Sequence, residues 1–159
     1  PAFARIDLHH LVRHIITLSR SELEQRRISV HYDLAAEDSF IVADSVQVQQ
    51  VLLNLVMNAV EAMAEVKSRS GTLAIATSNP ESGVIRCEIA DNGTGIEPAL
   101  IERIFDSFWS TKAQGMGMGL TISYSIIERH RGKLTARNRE PHGCIFAFTL
   151  PLAASEELL

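Results

Sequence analysis

This sequence is short of several things, and each shortage excludes something. No stretch reaches the roughly 18 uninterrupted apolar residues of a membrane-spanning helix, because polar residues break every apolar run, so no direct membrane contact is expected. Basic charge is not in excess: 15 Lys and Arg against 19 Asp and Glu leave a net charge of −4. A nucleic-acid-binding domain is usually basic, so no nucleic-acid partner is implied. Cysteine occurs only at Cys87 and Cys144, with no Cys or His nearby at ligand spacing. That pattern speaks for buried free thiols in a reducing compartment. There is no initiator Met and no apolar signal core in "PAFARIDLHH". The expectation is a piece excised from a longer protein. No internal repeat or low-complexity block stands out. What remains is 159 residues of ordinary globular composition, 46% hydrophobic and 21% charged, which suits one domain with a sizeable core.

The periodicities predict a mixed fold. Residues 1–27 are expected to form a lead-in helix, with Asp7 placed to cap it and Leu8, Leu11, Ile15, Leu18 and Leu23 at near-helical intervals to about Arg27. "ISVHYDL" (28 to 34) alternates as a strand. "DSVQ" (44 to 47) has capping-box spacing and opens a helix to about Lys67. "GTLAIATS" and "GVIRCEIAD" read as strands joined through "NPES". Pro98 suits the first turn of a short helix to about Ile104. A helix from near Leu120, stopped by Gly132, precedes the strands "KLTARN" and "CIFAFTL", with 153–159 as a tail. Helices and hairpins without regular strand–helix alternation predict an α+β fold, a two-layer α/β sandwich whose mixed, mostly antiparallel sheet has helices on one face. In the second strand Val84, Arg86, Glu88 and Ala90 form the wetter side, opposite Ile85, Cys87, Ile89 and Asp91.

Three constellations are candidates for chemistry. Asp91 shares a side with apolar residues at a strand's end, as either a turn former or a half-buried carboxylate awaiting a donor; Gly93 and Gly95 follow it in "DNGTGIEP" and would let a backbone pass close to a flat ligand. On the helix from 44, Gln47, Gln50, Asn54, Asn58, Glu61 and Glu65 fall within an arc of about 80° at roughly 100° per residue. The rest of its surface, Leu53 included, is apolar, so the helix is expected to be mostly buried. The stripe is either a solvated face or a ligand face, and its two asparagines, poor helix formers, suit a hard cation and phosphates. Finally, "IFDSFWSTKAQGMGMGLTIS" sets Phe105, Phe108 and Trp109 ahead of Ser110, Thr111, Lys112 and a glycine run. It is either a linker or a lid whose bare backbone meets phosphates at a helix N-terminus. "GxxxxGK[ST]" is absent, so this is not a P-loop.

In this order the stretches resemble the ATP-binding catalytic domain of sensor histidine kinases, the Bergerat-type fold shared with gyrase, Hsp90 and MutL. "QQVLLNLVMNAVEAM" resembles the N box, "DNGTGI" the G1 box, "IFDSFWSTK" the F box and "GMGMGLTIS" the G2 box. The resemblance implies that Asp91 accepts a hydrogen bond from the adenine amino group, with Gly93, Gly95 and Ile96 shaping the base pocket. It implies that Asn58 ligates Mg²⁺, that Asn54 supports the metal and phosphates, and that Glu61 stands beside them. Phe108, Thr111, Lys112, Gly115, Gly117, Gly119 and Leu120 would form the lid and its hinge over ATP, mobile when empty.

The relatives that hydrolyse ATP carry a Glu one helical turn before the metal-binding Asn, where this sequence has Asn54. An amide cannot take a proton at neutral pH, so the pocket is expected to hold ATP for a separate nucleophile, a phosphoacceptor His. That His is implied to precede an acidic residue and, a few positions on, Pro; none of His9, His10, His14, His31, His130 and His142 has this context. His10 and His14, spaced i, i+4, have metal-ligand spacing, but surface histidines on a helix are far more often structural. The expectations are therefore a catalytic domain without its dimerisation domain, monomeric, cytoplasmic or the cytoplasmic part of a membrane-bound sensor, binding ATP and Mg²⁺ but showing little kinase activity alone. Its partners would be the acceptor-His domain and, indirectly, a response regulator receiver domain. The wording around the N and G2 boxes resembles most the oxygen- and nitrogen-sensing class of these kinases. A Bergerat-fold ATPase acting as a conformational switch is the alternative, with Glu61 as its base.

Overall fold

A computed structural model describes residues 2–106 and 116–154, with side chains in the second stretch from Gly119 onward. Strand β1 (Phe3–Asp7) leads into helix α1 (Leu8–Gln25), then β2 (Ser29–Leu34), β3 (Phe40–Asp44) and helix α2 (Ser45–Ala64). Strands β4 (Thr72–Ser78) and β5 (Val84–Asp91) precede a 3-10 helix at Pro98–Arg103, and α3 (Met116–Arg129), β6 (Lys133–Asn138) and β7 (Cys144–Pro151) follow. The main sheet runs β2-β4-β5-β7-β6, parallel only between β2 and β4. Helices cover one of its faces: the α+β two-layer sandwich that the sequence predicted.

Alternation explains the layering. Along β5 every second residue, Ile85, Cys87, Ile89 and Asp91, is buried, while Val84, Arg86, Glu88 and Ala90 are half-buried on the other face. The buried set joins Leu73 and Ile75 of β4, Phe146, Phe148 and Leu150 of β7, and Val51, Leu52, Leu55 and Val60 of α2 in one core. Fully burying an aliphatic or aromatic side chain of this kind contributes about 1.5–3 kcal/mol. Leu53 departs from expectation: it is 40% exposed, on a part of α2 that its neighbours leave uncovered.

Helix ends follow local chemistry. Asp7 caps α1 by accepting from His9 N at 3.0 Å, and Asp44 caps α2 by accepting from Gln47 N at 3.2 Å. The reciprocal half of the capping box is absent: the Asp44 N–H donates instead to His130 Nε2, at 3.1 Å. His130 Nδ1 lies 2.8 Å from the Ile126 carbonyl, so Nδ1 bears the proton and Nε2 accepts.

Several sequence expectations need correction. The lead-in before Leu8 is not helical; β1 pairs antiparallel with β3, Phe3 opposite Asp44, in a separate two-stranded sheet. α2 stops at Ala64 rather than near Lys67, and α3 starts at Met116 rather than near Leu120, so Gly117 and Gly119 lie inside its first turns. Nor does Gly132 supply the left-handed residue that ends α3. That is Arg131 (φ 64), with Arg131 N bonded to Glu128 O and Gly132 N to Ile127 O. Gly132 is glycine because a Cβ there would stand 1.9 Å from the Thr149 carbonyl oxygen.

Candidate functional site

The polar stripe of α2 is the spine of the site. Asn54, Asn58 and Ala62 follow one another at one-turn spacing, and each end meets a different chain segment. At one end Gly93 packs against Ala62 so closely that a Cβ would lie 2.6 Å from the Ala62 carbonyl carbon. At the other end Asn54 Nδ2 donates to Gly119 O at 3.3 Å and Ser123 Oγ at 3.2 Å. A Cβ on Gly119 would meet Asn54 only at 3.8 Å, an ordinary contact, so nothing among the described residues demands glycine there.

Between these ends sits Asn58, 8% exposed, whose Nδ2 has no hydrogen-bond partner among the described residues. An unpaired buried amide costs about 1–3 kcal/mol, so the Asn58 amide has bonding capacity left for a ligand or its water shell. The two amide heavy atoms are interchangeable by a half-turn, which lets either the oxygen or the nitrogen face that ligand. An orphaned Asn58 beside Asn54 thus fits a hard cation with attached phosphates.

Asp91, 2% exposed, ends β5 on the helix side. Its Oδ1 accepts from Gly93 N at 2.8 Å and from Cys144 N at 3.3 Å. Burial pushes its pKa above the ordinary carboxylate value, opposed by the bonds from Gly93 and Cys144 and by the Arg139 charge. The strand thus delivers a buried carboxylate that is also a turn former, since the bond from Gly93 N, two residues on, closes an Asx-turn.

The loop after Asp91 is clamped by residues that the sequence did not single out. Arg69 donates from Nε to Asn92 O and from Nη2 to Gly93 O, both at 2.9 Å. Asn138 forms a closed amide pair with Ile96, accepting from its N–H at 2.7 Å and donating to its carbonyl at 2.6 Å. Arg139 Nη1 donates to Asp91 O at 3.0 Å, and a Cβ on Gly143 would stand 1.9 Å from that same oxygen. Gly95 takes φ +75, which glycine adopts without strain. These partners stand 23 to 48 residues away in sequence, and no local pattern marks them.

The predicted residues thus divide. Asn54, Asn58, Asp91, Gly93, Gly95, Ile96, Gly119 and Leu120 gather around α2 and the end of β5, with Leu120 buried. Glu61 is exposed on the same stripe, and no hydrogen bond or ion pair joins it to a described residue. Of the aromatic anchor only Phe105 lies among the described residues; it stacks on Tyr124 at 5.3 Å and meets Phe146 edge-on at 6.4 Å. Phe108, Trp109, Ser110, Thr111, Lys112 and Gly115, and with them the lid, lie outside the described residues.

Residues 43–154 match the family of histidine kinase-, DNA gyrase B- and HSP90-like ATPases. The chain belongs to this ATPase family. It is 36% identical over 146 residues to the sensor protein FixL of Bradyrhizobium diazoefficiens, covering 92% of this chain and 28% of FixL. It is 34% identical to the C4-dicarboxylate transport sensor protein DctS of Rhodobacter capsulatus, covering 96% of this chain and 23% of DctS. The chain therefore spans roughly a quarter of the length of these curated relatives. Among solved structures, the nucleotide-free catalytic domain of histidine kinase ThkA superposes with a TM-score of 0.84 at 34% identity, covering 95% of this chain and 96% of that one. Histidine kinase ThkA in complex with the response regulator protein TrrA matches with a TM-score of 0.80 at 31% identity, over 95% of this chain and 42% of the ThkA chain. No helix among the described residues of this ATPase-family domain is long and apolar enough to cross a membrane.

Proposed function

We propose that this domain binds ATP with Mg²⁺ and presents the γ-phosphoryl group to a histidine on a separate dimerisation domain of the same sensor kinase. The observation that carries the reading is the pairing of a buried, hydrogen-bonded Asp91 carboxylate with the orphaned amide of Asn58 on the facing helix. Asp91 accepts the adenine amino group, and its fixed Oδ1 leaves the carboxylate no freedom to turn away. Gly93 and Gly95 keep Cβ atoms out of the base's path, while Ile96, held by Asn138, packs against the ring. Asn58 would hold Mg²⁺, which supplies neutralising charge to the triphosphate when bound. Asn54 fixes the first turns of α3 through Gly119 and Ser123, so that the helix N-terminus faces the phosphates. Thr111, Lys112, Gly115 and Gly117 belong to the lid and its base in this reading, with Phe108.

The reaction is in-line transfer: the γ-phosphorus gains a bond to the histidine nitrogen as its bond to the ADP oxygen breaks. Hydrolysis by this domain is unsupported at Asn54, whose amide is committed as a donor. Exposed Glu61 is the one feature that favours the conformational ATPase instead. Mixing the 159-residue chain with the acceptor-His domain of its parent protein and labelled ATP separates the two. Label appearing on histidine, with little phosphate release by the chain alone, supports the kinase. Steady release by the chain alone, abolished by Glu61→Gln, overturns it. In the same reading the domain is monomeric and cytoplasmic, and a response regulator receives the phosphoryl group from the histidine.

A further inference from the structure

A second cleft lies away from the nucleotide site. It measures about 520 Å³ and sits where α1 and α2 end, between Arg27 and the loop 65–71. Val60 and Met63 form its floor, about 140° to 200° round α2 from Asn58 at 100° per residue, on the side turned away from the nucleotide site. Arg26, Arg27, Lys67 and Arg69 line it, together with Ser68 and Ser70, and no carboxylate lines it. This is a concentration of positive charge in an acidic protein.

Arg26 is held outward by Glu22, and Arg69 spends two of its N–H groups on the Asn92 and Gly93 carbonyls. Arg27 and Lys67 pair with no carboxylate among the described residues. The backbone N–H groups of Ser68, Arg69 and Ser70 also have no acceptor among the described residues. Cations are favoured near helix C-termini, but that attraction falls off beyond the last turn. The last turns of α1 and α2 hold no basic residue, and the cations stand past them.

Arg27 carries a second mark. It occupies the left-handed position (φ 58) of the turn ending α1, where Arg27 N bonds Glu24 O and Ile28 N bonds Leu23 O. Glycine is the unstrained residue for that position. A side chain there is a strained way to end a helix, and it sets a guanidinium at the cleft's edge.

We propose that this cleft is an anion site for an oligophosphate group, gripped by Arg27, Lys67, the free face of Arg69 and the amides of Ser68, Arg69 and Ser70. Successive free N–H groups ringed by cations hold phosphate oxygens by charge-assisted hydrogen bonds. Through Arg69 the site touches the loop that carries Asp91, so its occupancy bears on the base pocket from behind.

The test is a titration of the ¹⁵N-labelled 159-residue chain, without Mg²⁺ and saturated with ADP, by pyrophosphate. Saturable amide shifts are expected at Ser68, Arg69 and Ser70. Arg27→Gly should raise the melting temperature yet weaken pyrophosphate binding at least tenfold, and Lys67→Ser should weaken it similarly. Arg131→Gly, which relieves the same left-handed strain at the end of α3, should raise the melting temperature and leave the pyrophosphate affinity unchanged. Shifts with pyrophosphate alone assign the cleft to a free oligophosphate. Shifts on adding excess ADP as well assign it to the phosphates of a second nucleotide. No saturable shift at 68–70, or affinity retained in Arg27→Gly and Lys67→Ser, overturns the proposal. Amide shifts at Asp91, Ile96 and Gly119 with the first equivalent of ADP report the nucleotide reading separately.

Discussion

Asp91 is held under opposing demands. Burial favours its neutral form, whereas the proposed acceptance of an adenine amino group requires a lone pair on each oxygen that is engaged, best supplied by the carboxylate. Its folded pKa lies above its unfolded value, so the folded protein binds the proton more tightly, and stability falls as pH rises from the unfolded value through the folded one. Asp91→Asn keeps an oxygen for Gly93 N and Cys144 N but turns the other atom into a donor. The variant is expected to be more stable than the parent at neutral pH, with the advantage vanishing below the ordinary Asp range near 3.8. Its ADP affinity should fall about 100-fold, on the order of one lost hydrogen bond to a charged group at about 1.5–3 kcal/mol. Denaturant melts across pH and calorimetric titration with ADP check the two halves; undiminished affinity would remove the adenine role. In the parent, affinity should decline as pH falls toward the raised pKa of Asp91. Alternation alone placed this residue on the buried side of β5. What it could not supply was the clamp, because Arg69, Asn138 and Arg139 reach the loop only after the sheet has brought β4, β5 and β6 together.

The helices show how much of an element is local. The caps at Asp7 and Asp44 were legible because they satisfy N–H groups two or three residues on. The missing half of the second box was not, since His130 arrives from 86 residues away to take the Asp44 N–H. By this bond α3, whose first turns meet Asn54, is tied at its last turn to the start of the helix bearing Asn54. The end of α3 gives a paired test. Arg131→Gly should stabilise the protein by about 1 kcal/mol, since only the left-handed strain changes. Gly132→Ala should cost about 3 kcal/mol or more, because its Cβ would collide with the Thr149 carbonyl and push β6 from β7. Chemical denaturation measures both, and equal effects of one sign would contradict the separate reasons given for the two residues. From sequence alone Gly132 looks like the helix stop. Its true reason is a backbone 17 residues further on.

As a whole, the molecule is a sheet with the proposed nucleotide site on its helical side, and a ligand bound there would couple to folding. At a free ADP concentration 100 times its Kd, binding should stabilise the fold by about 2.7 kcal/mol. For a domain of this size that is a rise of about 5–10 °C in melting temperature. A scan with and without ADP measures it, and no shift at saturating concentration would argue against a nucleotide site. The thiols report on the integrity of the same core. Burial pushes Cys87 and Cys144 up to about 12, so neither forms thiolate at neutral pH. Both should resist a soluble thiol reagent until the protein unfolds, with mass spectrometry as the readout. Rapid modification of Cys144 in the native state would mean that the β6–β7 turn opens, and with it the support behind Asp91.

Local patterns were enough to establish the helices, the five strands of the main sheet, the buried face of β5, the cap residues and the order of the motifs that mark the family. Each of these depends on residues within a few positions of one another, where periodicity and hydrogen-bond reach leave few alternatives. The short β1–β3 pairing, the true starts and stops of α2 and α3, the clamp around residues 91–96 and the cationic cleft behind it arose only in the folded chain. Their partners are distant in sequence, and a contact between distant residues leaves no local trace: only the closing of the sheet decides which backbone carbonyl a glycine must avoid, and which arginine finds it.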